Sequence, residues 1–186
     1  MFDMQIKTGS GSVAGLEKNR SGSRRILILG VGNILLKDEG IGVHVVEKLQ
    51  KHNLPGNVEV IDGGTAGLDV LLSAIGVDKL VVIDAMKGGK RPGTIYKLKL
   101  KADEKDRLTQ TFSQEKQSKI SLHQVSLLDA LSAVEKMNRA PEEIVIIGVE
   151  PGEVDCGLGL TERVKQKVPE VIREVLEEIK DDIHTK

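Results

Sequence analysis

The chain has 186 residues, a formal net charge of −1 and a single cysteine. This length is typical of one domain that buries its own hydrophobic core. The balanced charge gives no indication of a nucleic-acid or anionic membrane partner, and no apolar run approaches the roughly 20 residues that span a bilayer. Because Cys156 cannot form an internal disulfide and the N-terminus lacks a secretory pattern, we expect a cytoplasmic protein.

Residues 1–23 are rich in Gly and Ser with few side chains to bury, which predicts a flexible N-terminal extension before a single domain at 24–186. Five strands are predicted, at residues 26–29, 58–61, 80–83, 93–100 and 144–149. The first is a short apolar run typical of a strand buried on both faces. Residues 93–100 alternate in polarity, as expected of a more exposed edge strand. The Asp62-Gly63-Gly64 sequence is expected to close the second strand.

Helical signals lie between the strands. Asp38 is predicted to cap the first helix, which has one apolar stripe formed by Ile41, Val45, Val46 and Leu49. Thr65 is predicted to cap a short second helix, and Ser121 opens a third through a capping box. Residues 101–120 are charged and aperiodic, which predicts a loop. The final helical region begins at Thr161 and contains Pro169, which predicts a kink or two abutting helices.

Strands that alternate with helices predict an α/β fold with three layers, α/β/α. Its twisted, open, mostly parallel sheet would carry helices on both faces. Right-handed crossovers favour an order in which the first strand is central, with the second strand on one side and the third on the other.

Four polar residues are expected to meet at one edge of this sheet. Ligands of open α/β sheets bind beyond the carboxyl ends of the strands, where the strand order switches direction. Glu39 follows the first strand, Asp62 ends the second, Asp84 ends the third, and His123 opens a helix expected to start at the same edge. An imidazole and two carboxylates can bind nickel, zinc or cobalt. Taken singly, each residue also fits an ordinary structural role, such as a cap, a turn or a favourable charge at a helix start.

Gly40 and Gly42 stand close together in the predicted first helix. Each glycine costs roughly 1 kcal/mol relative to alanine inside a helix. Two in one turn therefore predict the close approach of another backbone, such as a substrate chain.

Two competing motifs are weaker. The sequence GVGN at residues 30–33 is similar to a dinucleotide loop, but Leu35 stands where the third glycine belongs, and Asp38 and Glu39 would repel a pyrophosphate. Cys156 with His123 could form a nucleophilic pair, but no orienting group is evident.

Six segments, in order along the chain, resemble the signatures of the [NiFe]-hydrogenase maturation proteases. They are ILILGVGNILLKDEGIGV at 26–43, IDGGTAG at 61–67, VVIDA at 81–85, SLHQ at 121–124, GVEP at 148–151 and GLGLT at 157–161. The resemblance runs from about residue 24 to the final helix.

The resemblance implies a phosphorylase/hydrolase-like fold and a monomeric endopeptidase that removes the C-terminal extension of a [NiFe]-hydrogenase large-subunit precursor. It implies that Glu39, Asp84 and His123 are the catalytic and nickel-contacting residues. It also implies substrate recognition by the loop formed by Asp62, Gly63, Gly64 and Thr65. Nickel would arrive with the precursor, so no permanent metal is expected.

Three alternatives stay open at this point. In the first, Glu39, Asp84 and His123 hold a resident zinc in a small-molecule hydrolase. In the second, the chain is a nickel-sensing or chaperone module that binds the large subunit without cutting it. A nucleotide-binding protein is the third.

Overall fold

The structure, a computed structural model, describes residues 23–65, 76–101 and 141–183. Its strands are β1 (Ile26–Val31), β2 (Val58–Gly64), β3 (Lys79–Ala85), β4 (Ile95–Lys101) and β5 (Glu143–Val149). A 3-10 helix, Lys37–Gly40, leads directly into helix α1, Ile41–Leu49. Helices α2 (Glu162–Lys165) and α3 (Val168–Ile183) follow β5.

The five strands form one sheet in the order β2-β1-β3-β5-β4. All neighbouring strands are parallel except β4, which runs antiparallel to β5 at the edge of the sheet. The predicted positions of β1 between β2 and β3, and of β4 at an edge, are therefore confirmed. The strand order switches direction between β1 and β3, which is where an open α/β sheet leaves a crevice for a ligand.

Apolar side chains cover both faces of this sheet. On one face, residues of β1, β3 and β5 pack in a single core with helices α1 and α3, which also contact each other. On the opposite face, side chains at alternate positions are equally buried, among them Leu27, Leu29, Leu80 and Val82. Burial on both faces explains why these strands are continuous apolar runs. It agrees with the predicted three-layer α/β/α architecture.

Gly42 lets α1 lie directly against the sheet. A Cβ atom on Gly42 would stand 2.3 Å from the carbonyl oxygens of Val31 and Ile83, and one on Gly40 would stand 2.9 Å from the Cα atom of Ile34. The predicted close approach of another backbone is confirmed. The suggestion that a substrate chain makes this approach is wrong, because the chain's own strands and loop occupy the space.

Two local predictions are wrong, and the structure decides between the two alternatives of a third. Asp38 does not cap α1, since Gly40 holds the N-cap position and makes no side-chain cap. Strand β2 does not close before Asp62 but continues through Gly64. Of the two alternatives for Pro169, abutting helices are correct: α2 ends at Lys165, and Pro169 stands in the first turn of α3, where its missing N–H is tolerated.

Other predictions lie outside the described residues. They are the N-terminal extension, the short helix after Thr65, the loop after β4 and the helix opened by Ser121. Within the described ranges, no helix combines the length and apolar character needed to cross a membrane.

Ionic contacts tie α3 to the amino-terminal end of the sheet. The buried ammonium group of Lys79 donates to the carbonyl oxygen of Glu178 at 2.6 Å and to Oδ2 of Asp182 at 2.9 Å. Arg24 contacts the other oxygen of Asp182 at 2.7 Å. Burial would raise the pKa of Glu178, but hydrogen bonds and ion pairs with lysines of β4 outweigh it and lower that pKa. The sheet end opposite the crevice is thus fixed by paired charges.

Replacing Lys79 with methionine should lower the free energy of unfolding by about 3 kcal/mol, because it leaves one buried carboxylate oxygen of Asp182 and the carbonyl oxygen of Glu178 without their donor. Urea denaturation followed by circular dichroism measures this change. The same substitution at the exposed Lys87 should stay within about 0.5 kcal/mol. Equal effects at the two positions would contradict a stabilising role for the buried contacts.

Candidate active site

Asp84 is the penultimate residue of β3, at the switch point of the sheet, and is 3% exposed. Its Oδ1 atom accepts a hydrogen bond of 2.8 Å from the amide of Ala85. Its Oδ2 atom is buried and has no hydrogen-bond partner among the residues that the structure describes. Burial raises the pKa of Asp84 to about 8. The Ala85 hydrogen bond opposes this rise, and the charge of Glu39 adds to it. Burial thus favours the protonated, neutral form of this carboxyl group.

Glu39 is held beside β3 by the way the chain folds back after β1. The residue is half-buried in the 3-10 helix, which packs against β3. Gly32 permits the return of the chain: its φ is +145°, and a Cβ there would stand 1.9 Å from the carbonyl oxygen of Glu39. The 3-10 helix that carries Glu39 therefore lies against the strand that carries Asp84, and the charge of Glu39 contributes to the raised pKa of Asp84.

The predicted substrate loop begins at the neighbouring strand end. Asp62 is exposed, and its Oδ1 atom accepts a 2.8 Å hydrogen bond from the amide of Gly64, which has a φ of +46°. The carbonyl oxygen of Gly64 in turn accepts from the amide of Gly32 at 2.8 Å. Gly63 is buried and Thr65 is exposed. This turn therefore lies against the loop that carries Glu39. Its role in substrate recognition stays a prediction.

His123 lies outside the described residues, so its predicted meeting with Glu39 and Asp84 is not part of this geometry. Within 23–65, 76–101 and 141–183, no group of three or more His, Cys, Asp or Glu residues could hold a metal ion. The nickel-contacting role of the predicted triad remains a prediction. Cys156 is exposed on the loop between β5 and α2.

Asp38, one residue before Glu39, has a structural role that the sequence analysis missed. Its side chain is fully buried, and its two carboxylate oxygens accept four hydrogen bonds. The donors are the amides of Gly152, Glu153 and Thr161 and the hydroxyl of Thr161, at 2.7–3.0 Å. Asp38 therefore fastens the 3-10 helix to the segment between β5 and α2. Its position beside Glu39 in the first motif could have marked Asp38 as important. Its hydrogen-bond partners could not be identified from the sequence, because they are more than 110 residues away.

A family model described as "HycI: Hydrogenase maturation protease" matches residues 43–178. The chain belongs to the hydrogenase maturation protease family. It is 40% identical over 159 residues to the hydrogenase 2 maturation protease of Escherichia coli K12, an alignment that covers 84% of this chain and 92% of that protein. A putative hydrogenase maturation protease of Methanocaldococcus jannaschii is 38% identical over 160 residues, covering 83% and 96%.

Solved structures agree with this membership. The hydrogenase maturating endopeptidase HybD from E. coli superposes with a TM-score of 0.73 at 36% identity, covering 84% of this chain and 93% of that one. HybD from Thermococcus kodakarensis gives a TM-score of 0.64 at 28% identity, covering 83% and 98%. The chain is thus a peptidase, which favours the protease over the three alternatives drawn from its sequence.

Glu150 is a second residue of the protease whose position the sequence analysis did not predict, although it lies in the GVEP motif. Its carboxylate accepts hydrogen bonds from the amides of Gly88 and Lys90 and from the hydroxyl of Tyr96. Burial would raise the pKa of Glu150, but these hydrogen bonds outweigh it and lower that pKa. Glu150 therefore fixes the loop between β3 and β4, which begins two residues after Asp84.

The stability of the protease should fall as pH rises from about 4 to about 8, relative to an Asp84→Asn variant. The pKa of Asp84 is raised from 3.8 to about 8 in the folded state. Across this window the folded protein therefore keeps a proton that the unfolded chain has released. Denaturant unfolding of both proteins at several pH values measures the difference.

In a Glu39→Gln background, the upper end of the pH range over which stability falls should move to lower pH, because the neighbouring negative charge that raises the pKa of Asp84 is gone. Glu47→Gln, on the exposed side of α1, serves as the matched control and should leave the window unchanged. A difference between wild type and Asp84→Asn that does not vary with pH would contradict the raised pKa.

Asp38→Asn should lower the free energy of unfolding by about 2–4 kcal/mol, since hydrogen bonds to a charged group contribute more than neutral ones. An asparagine keeps only one acceptor oxygen, so its amide group must face at least one of the backbone donors. Asp155→Asn, on the exposed part of the same segment, is the control for chemical denaturation. Equal stability of the two variants would show that the buried contacts contribute little.

Proposed function

We propose that this protease removes the C-terminal extension of a nickel-loaded [NiFe]-hydrogenase large-subunit precursor and uses the precursor's nickel as its recognition signal. Glu39, Asp84 and His123 would contact that nickel, and the loop from Asp62 to Thr65 would hold the adjoining peptide. Family membership supports the reaction class, and the arrangement at the switch point supports the nickel contact.

The buried Oδ2 atom of Asp84 is the observation that carries the nickel part of the proposal. A buried polar atom without a partner is costly, and within the described residues nothing donates to this one. Glu39 lies close enough to raise the pKa of the same carboxyl group. Two carboxyl groups on adjoining elements at the switch point fit a divalent cation, which would displace the proton of Asp84 and balance both carboxylates.

The donor set also favours a metal that arrives with the substrate. Two carboxylates and one imidazole leave coordination positions open, and the precursor's cysteine thiolates would fill them. Nickel shared between precursor and protease would dock the scissile bond beside Glu39 and Asp84. Hydrolysis then adds water across the peptide bond, with the oxygen going to the carbonyl carbon and a proton to the leaving amine. A precursor without nickel would lack the contact that positions this bond.

Intact-mass analysis of a nickel-loaded precursor, before and after incubation with the protease, tests the proposal. We expect the loss of one discrete C-terminal peptide with wild-type protease and no loss with Glu39→Ala. Glu47→Ala removes a carboxylate from the same stretch of chain but at an exposed position, and it should retain full processing.

Two further samples separate the parts of the proposal. His123→Ala should fold normally but fail to process the precursor, and full activity in this variant would remove His123 from the site. A metal-free precursor should not be cut. If it were processed as fast as the nickel-loaded form, recognition through nickel would be wrong while the protease assignment would stand.

A further inference from the structure

Within the described residues, the exposed large hydrophobic side chains are Ile34, Leu35 and Leu158, which are 43%, 58% and 80% exposed. Ile34 and Leu35 lie between β1 and the 3-10 helix, and Leu158 lies between β5 and α2. We call these three side chains the apolar rim. Exposed apolar side chains that come together from distant parts of a chain often mark a binding surface.

Backbone contacts join the two segments of the apolar rim. Leu36 and Gly157 form an isolated parallel bridge, in which the amide of Gly157 donates to the carbonyl oxygen of Leu35 at 2.9 Å. The amide of Lys37 donates to the carbonyl oxygen of Gly157 at 3.1 Å, and the Lys37 side chain pairs with Glu153. The four hydrogen bonds of Asp38 complete this connection. The apolar rim is therefore held in place before anything binds to it.

The apolar rim adjoins the candidate active site. The Cα atom of Ile34 stands 2.9 Å from the position that a Cβ on Gly40 would take, and Gly40 directly follows Glu39. A peptide whose scissile bond lies near Glu39 and Asp84 must extend past its neighbouring loops in at least one direction. The loop that carries Glu39 also carries two of the three exposed side chains.

We propose that the apolar rim binds large apolar residues of the precursor's C-terminal segment, close to the bond that is cut. The proposal rests on the proposed function, because it takes the occupant of the site to be that precursor. Aliphatic side chains bounded by the Lys37–Glu153 ion pair suit an apolar segment with a polar border. Three side chains are too few for a stable dimer of this protein, which would bury roughly 1,600 Å².

Leu35→Ser and Leu158→Ser test this surface through the affinity for a nickel-loaded precursor. Each substitution should raise the Kd roughly five- to tenfold, as expected when one leucine is no longer buried on binding. Both residues are exposed, so thermal unfolding midpoints should match the wild type. Leu176→Ser, in a pocket lined by α3, removes a half-buried leucine elsewhere and should leave the Kd unchanged.

A second precursor, with serine replacing the large apolar residues beside the cleaved bond, identifies what the apolar rim contacts. This precursor should bind the wild-type protease more weakly than the unchanged precursor does. Leu35→Ser or Leu158→Ser should not weaken its binding further, because the change in the precursor and the change in the protease remove the same contact. Unchanged affinity in the two variants, or fully additive losses, would overturn the proposal. So would a wild-type dimer in sedimentation that the same variants convert to monomers.

The peptide mass recorded in these samples keeps the two proposals apart. A precursor that binds but is not cut would refute the proposed function. Its Kd values for the variants would still test whether the apolar rim contacts the precursor. Normal cutting with equal Kd values across all variants would refute the apolar rim alone.

Discussion

The buried carboxylate of Asp38 is the interaction on which the candidate site depends. A charged group removed from water is costly unless other groups replace its hydration, and here four donors from residues 152–161 do so. These bonds join the chain after β1 to the chain after β5, two segments that the sheet does not pair directly. Glu39 on one segment and Leu158 on the other thereby acquire fixed relative positions. The same contact stabilises the fold and shapes the edge where a substrate would bind.

Asp38 and Glu39 are consecutive acidic residues with opposite environments. The Asp38 oxygens face amide and hydroxyl donors, whereas the charge of Glu39 acts on the buried Asp84 and helps to raise its pKa to about 8. Two acidic groups that share one crevice resist simultaneous ionisation. Burial and this neighbouring charge both favour the protonated form of Asp84. The chemical nature of a side chain does not decide its role here; the donors around it do.

Much of this architecture could be predicted because it depends on local pattern and chain handedness. Apolar runs identified the strands at 26–29, 80–83 and 144–149, since parallel strands buried on both faces have few polar positions. Right-handed crossovers then placed β1 between β2 and β3, and the switch point brought Glu39 and Asp84 to the same edge. The partners of Asp38 were missed because they are 114 to 123 residues away and leave no periodic signal. The backbone that approaches Gly42 was predicted to be a substrate chain for a related reason. The spacing of the glycines indicates that a backbone comes close, but it does not indicate which backbone this is.

The two ends of the sheet differ in how they treat buried charge. At the amino-terminal end, Lys79 lies among carboxylates and a carbonyl oxygen, so its buried charge has opposite charges and an acceptor nearby. At the carboxyl-terminal end, Asp84 keeps one oxygen without a donor within the described residues. Stabilising contacts at one end can offset an incompletely satisfied group at the other, because folding depends on the total free energy. An unsatisfied carboxyl oxygen persists most readily where a ligand completes it. This contrast supports the proposal that the protease meets its substrate at the β1–β3 crevice and not at the charged end beneath α3.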